Sequence, residues 1–293
     1  MNTQRQFSSM HNHTCFCDGH DDVETMCRAA YEKELCAIGF SAHAPIEKQT
    51  GFTSCWNLKD ENVDKYVSAV LEAKKRWQGK LDVFLGYEAD YIKGIRSALD
   101  NDITALNLDF IIGSVHYIIR ENIKKPYTVD GSAQEFDECI NEVFNGSAEA
   151  LMNCYYDALA EMITQGGFDI LGHADIIKKN CIGKNYWREE NERRRQREIA
   201  DLIANTSNNI AVEVNTGGLN RKKIDEVYPS LSFLRIINEF NIPVIITADA
   251  HCAADINGNY DIALNTLICA NFKEHVLFEG KCNNSPVWRK KNI

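Results

Sequence analysis

At 293 residues, with 44% hydrophobic and 25% charged side chains, the chain has the composition of an ordinary globular α/β protein. A formal net charge of −10 argues against nonspecific nucleic-acid binding, and no apolar run approaches the length of a membrane span. The opening stretch MNTQRQFSSM lacks a basic segment followed by an apolar one, so no secretory leader is expected and the cytoplasm is the expected compartment.

Short β-rich runs alternate with longer amphipathic stretches, as βα units require. QFSSMHNH is the first predicted strand, followed by the helix VETMCRAAYEKE. ELCAIGFSAH is the second strand, VDKYVSAVLEAKKRW the next helix, and LDVFLGYEAD and LDFIIGSVHYI the third and fourth strands. The helix EALMNCYYDALAEMITQG leads to a fifth strand, GFDILGHAD. REENERRRQREIADLIA follows; its basic run Arg193–Arg195 is interleaved with Glu192 and Glu198, which predicts a solvated helix laced with ion pairs. NIAVEVNTG is the sixth strand, LSFLRIINEF a helix, and IPVIITADAH the seventh strand.

These strands end in His11/His13, His43, Glu88/Asp90, His116, His173/Asp175, Glu213/Asn215 and Asp249/His251. Six of the eight histidines lie there. In a parallel barrel such ends meet on one face, whereas an open doubly wound sheet gathers ligands only at its switch point. The expected fold is therefore α/β: a distorted, TIM-like (β/α)7 barrel with a metal site at the C-terminal ends of its strands, in one domain spanning 1–293.

Six histidines with Asp18, Glu88 and Asp249 exceed the ligands one zinc takes. Imidazoles mixed with carboxylates suit Zn, Fe or Mn, so two to three divalent transition metals are expected. Adjacent metals clamp the attacking and leaving oxygens in hydrolysis and phosphoryl transfer. Cys15 and Cys17, two residues apart, do not match zinc-knuckle spacing and are expected to be bystanders. Just past strand ends, Lys178 and Arg221 are candidate substrate-binding cations, and the Gly217–Gly218 step is expected to let backbone amides approach the ligand.

The His11/His13 pair, "FSAHAP", "GYEADY", "GSVHYI", "GHADIIKK", "EVNTGGLNR" and "TADAH", in this order from about residue 7 to residue 270, resemble the PHP (polymerase and histidinol phosphatase) superfamily. Within it the chain looks most like the histidinol-phosphate phosphatases of bacterial histidine biosynthesis. The resemblance implies a three-metal site: His11, His13, Glu88 and Asp249 on one metal; the bridging Glu88 with His116 and His173 on a second; Asp18, His43 and His251 on a third. His20 rivals Asp18 in the "CDG" loop. Ala42 stands where the family usually has Asp. The implied chemistry is hydrolysis of a small phosphomonoester, L-histidinol phosphate, by metal-activated water, with Glu88, Asp249 and His251 at the catalytic centre. Alternatives are another small phosphoester or nucleotide, or a noncatalytic metal-binding domain of the same superfamily.

Overall fold

The computed structural model describes residues 6–120, 126–206 and 209–293; the first five residues, half of the opening stretch in which no leader is expected, lie outside them. In chain order the strands are β1 (Ser8–Ser9), β2 (Ala37–His43), β3 (Asp82–Asp90), β4 (Phe110–Ser114), β5 (Tyr117–Ile118) and β6 (Tyr127–Thr128). They continue with β7 (Ile170–Leu171), β8 (Ala211–Asn215), β9 (Val244–Thr247), β10 (Glu274–Cys282) and β11 (Ser285–Asn292). Seven form one sheet in the order β1-β2-β3-β4-β7-β8-β9, every neighbouring pair parallel. Its two edges meet just beyond β1 and β9. Asn12 and Ala250 form a parallel bridge, with the His13 N–H donating to the Ala250 carbonyl at 2.8 Å. The sheet is a nearly closed seven-stranded barrel, with helices on the connections, as the sequence predicts.

Alternation along each strand sorts the side chains into two layers. The outer one packs against the helices. The helix Val23–Glu32 buries Val23, Met26, Cys27 and Ala30, one stripe of a 3.6-residue period, and Asp22 caps its start by accepting from the Thr25 N–H at 2.8 Å. The inner layer holds Met10, Phe110, Ile112, Ile170, Ala211 and Ile245, a separate apolar cluster. Further along the same inward columns the residues turn polar: Ile112 gives way to Ser114 and His116, Ala211 to Glu213 and Asn215, Ile245 to Thr247 and Asp249. The N-terminal half of the barrel is thus an apolar plug, and the C-terminal half carries the chemistry.

Two features differ from the predicted elements. GSVHYI is not one strand: β4 stops at Ser114, and Tyr117–Ile118 pair antiparallel with β6 in a separate ribbon beside the site. After the seventh strand the chain forms an antiparallel hairpin, β10–β11, whose Val276 and Phe278 close the N-terminal mouth against the inner cluster. The Phe278 ring lies 5.8 Å from that of Phe110. No helix among the described residues is long and apolar enough to cross a membrane.

Candidate metal centre

Strand register places the first pair of donors. His43 on β2 is the direct partner of Glu88 on β3, so both project from the same rung at the C-terminal mouth. His11 and His13 follow β1 along the closing seam. Asp249 follows β9 with φ of 47°, a left-handed conformation that aspartate tolerates better than most side chains. Gly217 makes room for it: a Cβ at 217 would stand 2.7 Å from Asp249 Oδ2. Here the expectation for the glycine pair changes, because Gly217 opens space for a site carboxylate and its N–H is already given to Asn215 Oδ1 at 2.7 Å.

Glu88 is the centre of the arrangement and is 1% exposed. Its Oε2 lies 3.1 Å from His11 Nε2, 3.1 Å from His43 Nδ1 and 3.6 Å from His13 Nε2. Its Oε1 lies 3.0 Å from His173 Nε2 and 3.4 Å from His116 Nε2. One carboxylate therefore faces two groups of imidazoles, one with each oxygen. Asp249 Oδ1 approaches His13 Nε2 at 3.3 Å and His11 Nε2 at 3.8 Å.

These spacings fit metal ligation. A tetrahedral site with bonds of about 2.0–2.1 Å has ligand–ligand edges of about 3.3 Å. His116 Nε2 and His173 Nε2 face each other at 3.2 Å, so a shared proton or cation must lie between two nitrogens that would otherwise oppose lone pairs. His13 Nε2, His43 Nδ1 and Asp18 Oδ1 are buried without a hydrogen-bond partner. Such atoms are costly unless something electropositive meets them.

In the loop after β1, Asp18 Oδ2 is 3.0 Å from His251 Nε2, and its Oδ1 is 3.5 Å from His13 Nδ1 and 3.9 Å from His43 Nε2. His20 is exposed, and its backbone N–H donates to the His251 carbonyl at 2.7 Å. The geometry favours Asp18 over His20. The loop turns tightly because residue 19 is glycine: a Cβ there would stand 2.6 Å from the His13 carbonyl carbon. Cys15 is exposed. Cys17 sits behind His13, with Sγ 3.6 Å from Nδ1, and burial pushes its thiol up to about 12.

Electrostatics match the burial. Burial by itself raises the Glu88 carboxyl, but the imidazoles of His11, His43 and His116 outweigh it and hold it well below the usual range. Burial likewise raises Asp249, and Arg221 and His11 outweigh it, so it too is ionised. Burial takes His13 down to about 3, with the like charges of His251 and His43 adding to it, which leaves a neutral imidazole of the kind a metal requires.

The sequence reading missed the carboxylates behind the ring nitrogens. Asp90 Oδ1 holds His116 Nδ1 at 2.7 Å, and Glu213 Oε2 holds His11 Nδ1 at 2.9 Å. Both stand at strand ends, which was the available signal. The two predicted cations separate. Arg221 reaches the centre, donating from Nη2 to Asp249 Oδ2 at 2.9 Å and from Nη1 to the Asp249 carbonyl at 3.0 Å. Lys178 does not reach it: its Nζ pairs with Glu226 at 3.3 Å. Residues Ile176–Asn180 form a 3-10 turn, in which positions three apart eclipse, so Ile176 and Lys179 line the cavity instead. Lys223 lines it too. The cavity over the centre has a volume of about 480 Å³, and its wall includes Trp56, Asp130 and Ser132. A second cavity, of about 560 Å³, lies between β9 and the hairpin and is lined, among the described residues, by no histidine.

The sequence that builds this barrel and its histidine–carboxylate cluster matches the model of the PHP domain over residues 9–217, and the chain belongs to that family. Asp249 and His251 lie beyond the matched span. The histidinol-phosphatase of Bacillus subtilis (strain 168) is 27% identical over 269 residues, which cover 87% of this chain and 97% of that protein. The "Probable histidinol-phosphatase" of Deinococcus radiodurans is 26% identical over 259 residues, covering 88% of this chain and 91% of that protein. Among solved structures, the histidinol phosphate phosphatase of Lactococcus lactis, complexed with zinc, L-histidinol and phosphate, has a TM-score of 0.67 at 17% identity, covering 92% of this chain and 96% of that one. It shares the fold.

Proposed function

We propose that this chain is a metal-dependent phosphomonoesterase that hydrolyses L-histidinol phosphate to L-histidinol and phosphate in histidine biosynthesis, using two to three divalent transition metals. The observation that carries this is Glu88, whose two oxygens face separate imidazole groups as a bridging carboxylate would. His11, His13, Glu88 and Asp249 are assigned to one metal, Glu88, His116 and His173 to a second, and Asp18, His43 and His251 to a third. In support, the donor atoms of His13, Asp18, His43 and His251 lie within 4.8 Å of one another, as do those of His11, His13 and Glu88. The names and near-full coverage of the curated relatives support the substrate. Eleven free cysteines fit a reducing compartment such as the cytoplasm.

Divalent cations in this cluster supply the Lewis acidity that makes water nucleophilic at neutral pH and that offsets the charge of a phosphate dianion. The protein supplies the rest. Arg221 and Lys223 bring fixed positive charge to the phosphate, Arg221 through a planar guanidinium, and Lys179 stands beside them paired with the Asp130 carboxylate at 3.6 Å. The leaving alkoxide needs a proton, which this reading assigns to Asp249 or to water in the cavity. Trp56 offers an aromatic face, stacked on Tyr117 at 5.7 Å, and Asp130 offers an anion, which suits a substrate carrying an imidazole and an amine.

Elemental analysis tests the metal assignment. Two to three metals per chain are expected after reconstitution with Zn, Fe or Mn, in the wild type and in Cys15→Ser/Cys17→Ser alike. Fewer than one metal in the wild type would remove the multinuclear site. Loss of one metal only in the double variant would make the thiols ligands.

A further inference from the structure

Glu213 takes no part in the ligand sets above, yet it is 0% exposed and makes four hydrogen bonds to groups at the ends of four strands, β1, β7, β8 and β9. Its Oε1 accepts from the His173 backbone N–H at 2.7 Å and from Asn215 Nδ2 at 2.8 Å. Its Oε2 accepts from Thr247 Oγ1 at 2.9 Å and stands 2.9 Å from His11 Nδ1.

The polarity of this chain of contacts is not free. The Gly217 N–H can only donate, so Asn215 must present Oδ1 to it and turn its amide NH2 toward Glu213. The His173 N–H can only donate as well, which makes Glu213 Oε1 an acceptor twice over. An ionised carboxylate has no proton to offer at Oε2, so His11 must carry its proton on Nδ1. That leaves the lone pair on His11 Nε2, the atom 3.1 Å from Glu88 Oε2. With Glu213 ionised, these contacts fix the tautomer of a neutral His11 at the centre of the cluster.

We propose that Glu213 is the positioning residue that selects the Nδ1–H tautomer of His11 and so makes its Nε2 available as a ligand. The proposal rests on the metal reading of the cluster. It explains why a carboxylate sits at the end of β8 without joining any ligand set, and why Asn215 and Thr247 surround it.

Glu213→Gln separates this role from simple packing. Glutamine is nearly isosteric, and with its oxygen on the His173 N–H and the Asn215 amide, its NH2 faces His11 Nδ1 and Thr247, whose hydroxyl can turn to accept. Every hydrogen bond can then be kept, but His11 Nδ1 must become the acceptor and Nε2 must carry the proton. Zinc affinity, measured by chelator competition, is expected to fall about 10- to 100-fold, the usual loss when a carboxylate behind a ligating histidine is removed. The melting temperature of the metal-free protein should stay near that of the wild type. Nitrogen-15 NMR of the zinc-loaded wild type should place the His11 proton on Nδ1. Glu213→Asp, which keeps the charge, should retain more of the affinity than Glu213→Gln. Wild-type affinity in Glu213→Gln, an Nε2 proton in the loaded wild type, or loss of metal-free stability in Glu213→Gln on the scale of the lost affinity would each overturn the proposal. A wild type that takes up no zinc would contradict the metal reading itself, which the melting and affinity comparison keeps distinct.

Discussion

Glu88→Gln is expected to lower kcat/KM by at least about 10²-fold, the scale for losing a key electrostatic group, and to release metal from the chain. The side chain is almost unchanged in size, so packing around it should hold. What changes is charge and valence: an amide nitrogen cannot ligate a cation, and only one oxygen remains for two groups of imidazoles. Whichever way the amide turns, either the His11/His43 side or the His116/His173 side loses its anion. Elemental analysis alongside phosphate release checks both parts. Near-normal turnover in a fully metallated variant would show that Glu88 does not bridge.

Arg221→Ala carries the second large effect. If its guanidinium grips the phosphate, kcat/KM should fall by roughly 1.5–3 kcal/mol, about 10- to 150-fold. Arg221→Lys should recover only part, because a point charge cannot reproduce the fork. From sequence alone this residue reads as independent of the metals, but its Nη2 holds Asp249 Oδ2 and its Nη1 lies 2.8 Å from His251 Nδ1. Some weakening of metal retention is therefore expected in Arg221→Ala as well, measured by chelator competition. Lys179→Ala should weaken substrate binding, and Lys178→Ala should leave it near the wild-type value. Unchanged kinetics in Arg221→Ala would take it out of the site.

The barrel was legible because seven β-rich runs each ended in a metal-competent residue, a pattern that records the C-terminal mouth directly. Eight of the nine metal-ligand candidates lie around one centre for the same reason, and Asp18 joins them from the loop after β1. The side chains behind them were less legible. Asp90 and Glu213 share the strand-end signal, but only three-dimensional register shows that each backs a ring nitrogen instead of facing the cavity. Lys178 and Lys179 are adjacent, and choosing between them needs the pitch of the Ile176–Asn180 turn, which hydrophobic periodicity does not encode over five residues. The closing hairpin did leave a trace. Asn283 and Asn284 both adopt positive φ, 50° and 63°, as a two-residue turn of the mirror-image type demands, and asparagine is favoured there. With β-prone residues on either side, that pair could have marked β10 and β11.

The most direct measurement is phosphate release from L-histidinol phosphate, set against a panel of nucleotide and sugar phosphomonoesters, with the protein metal-loaded and after chelation. Hydrolysis of L-histidinol phosphate with the highest kcat/KM of the panel, abolished by chelation and restored by Zn, Fe or Mn, is the predicted result. A fully metallated protein that leaves L-histidinol phosphate intact, or that prefers another monoester, would contradict the assigned substrate.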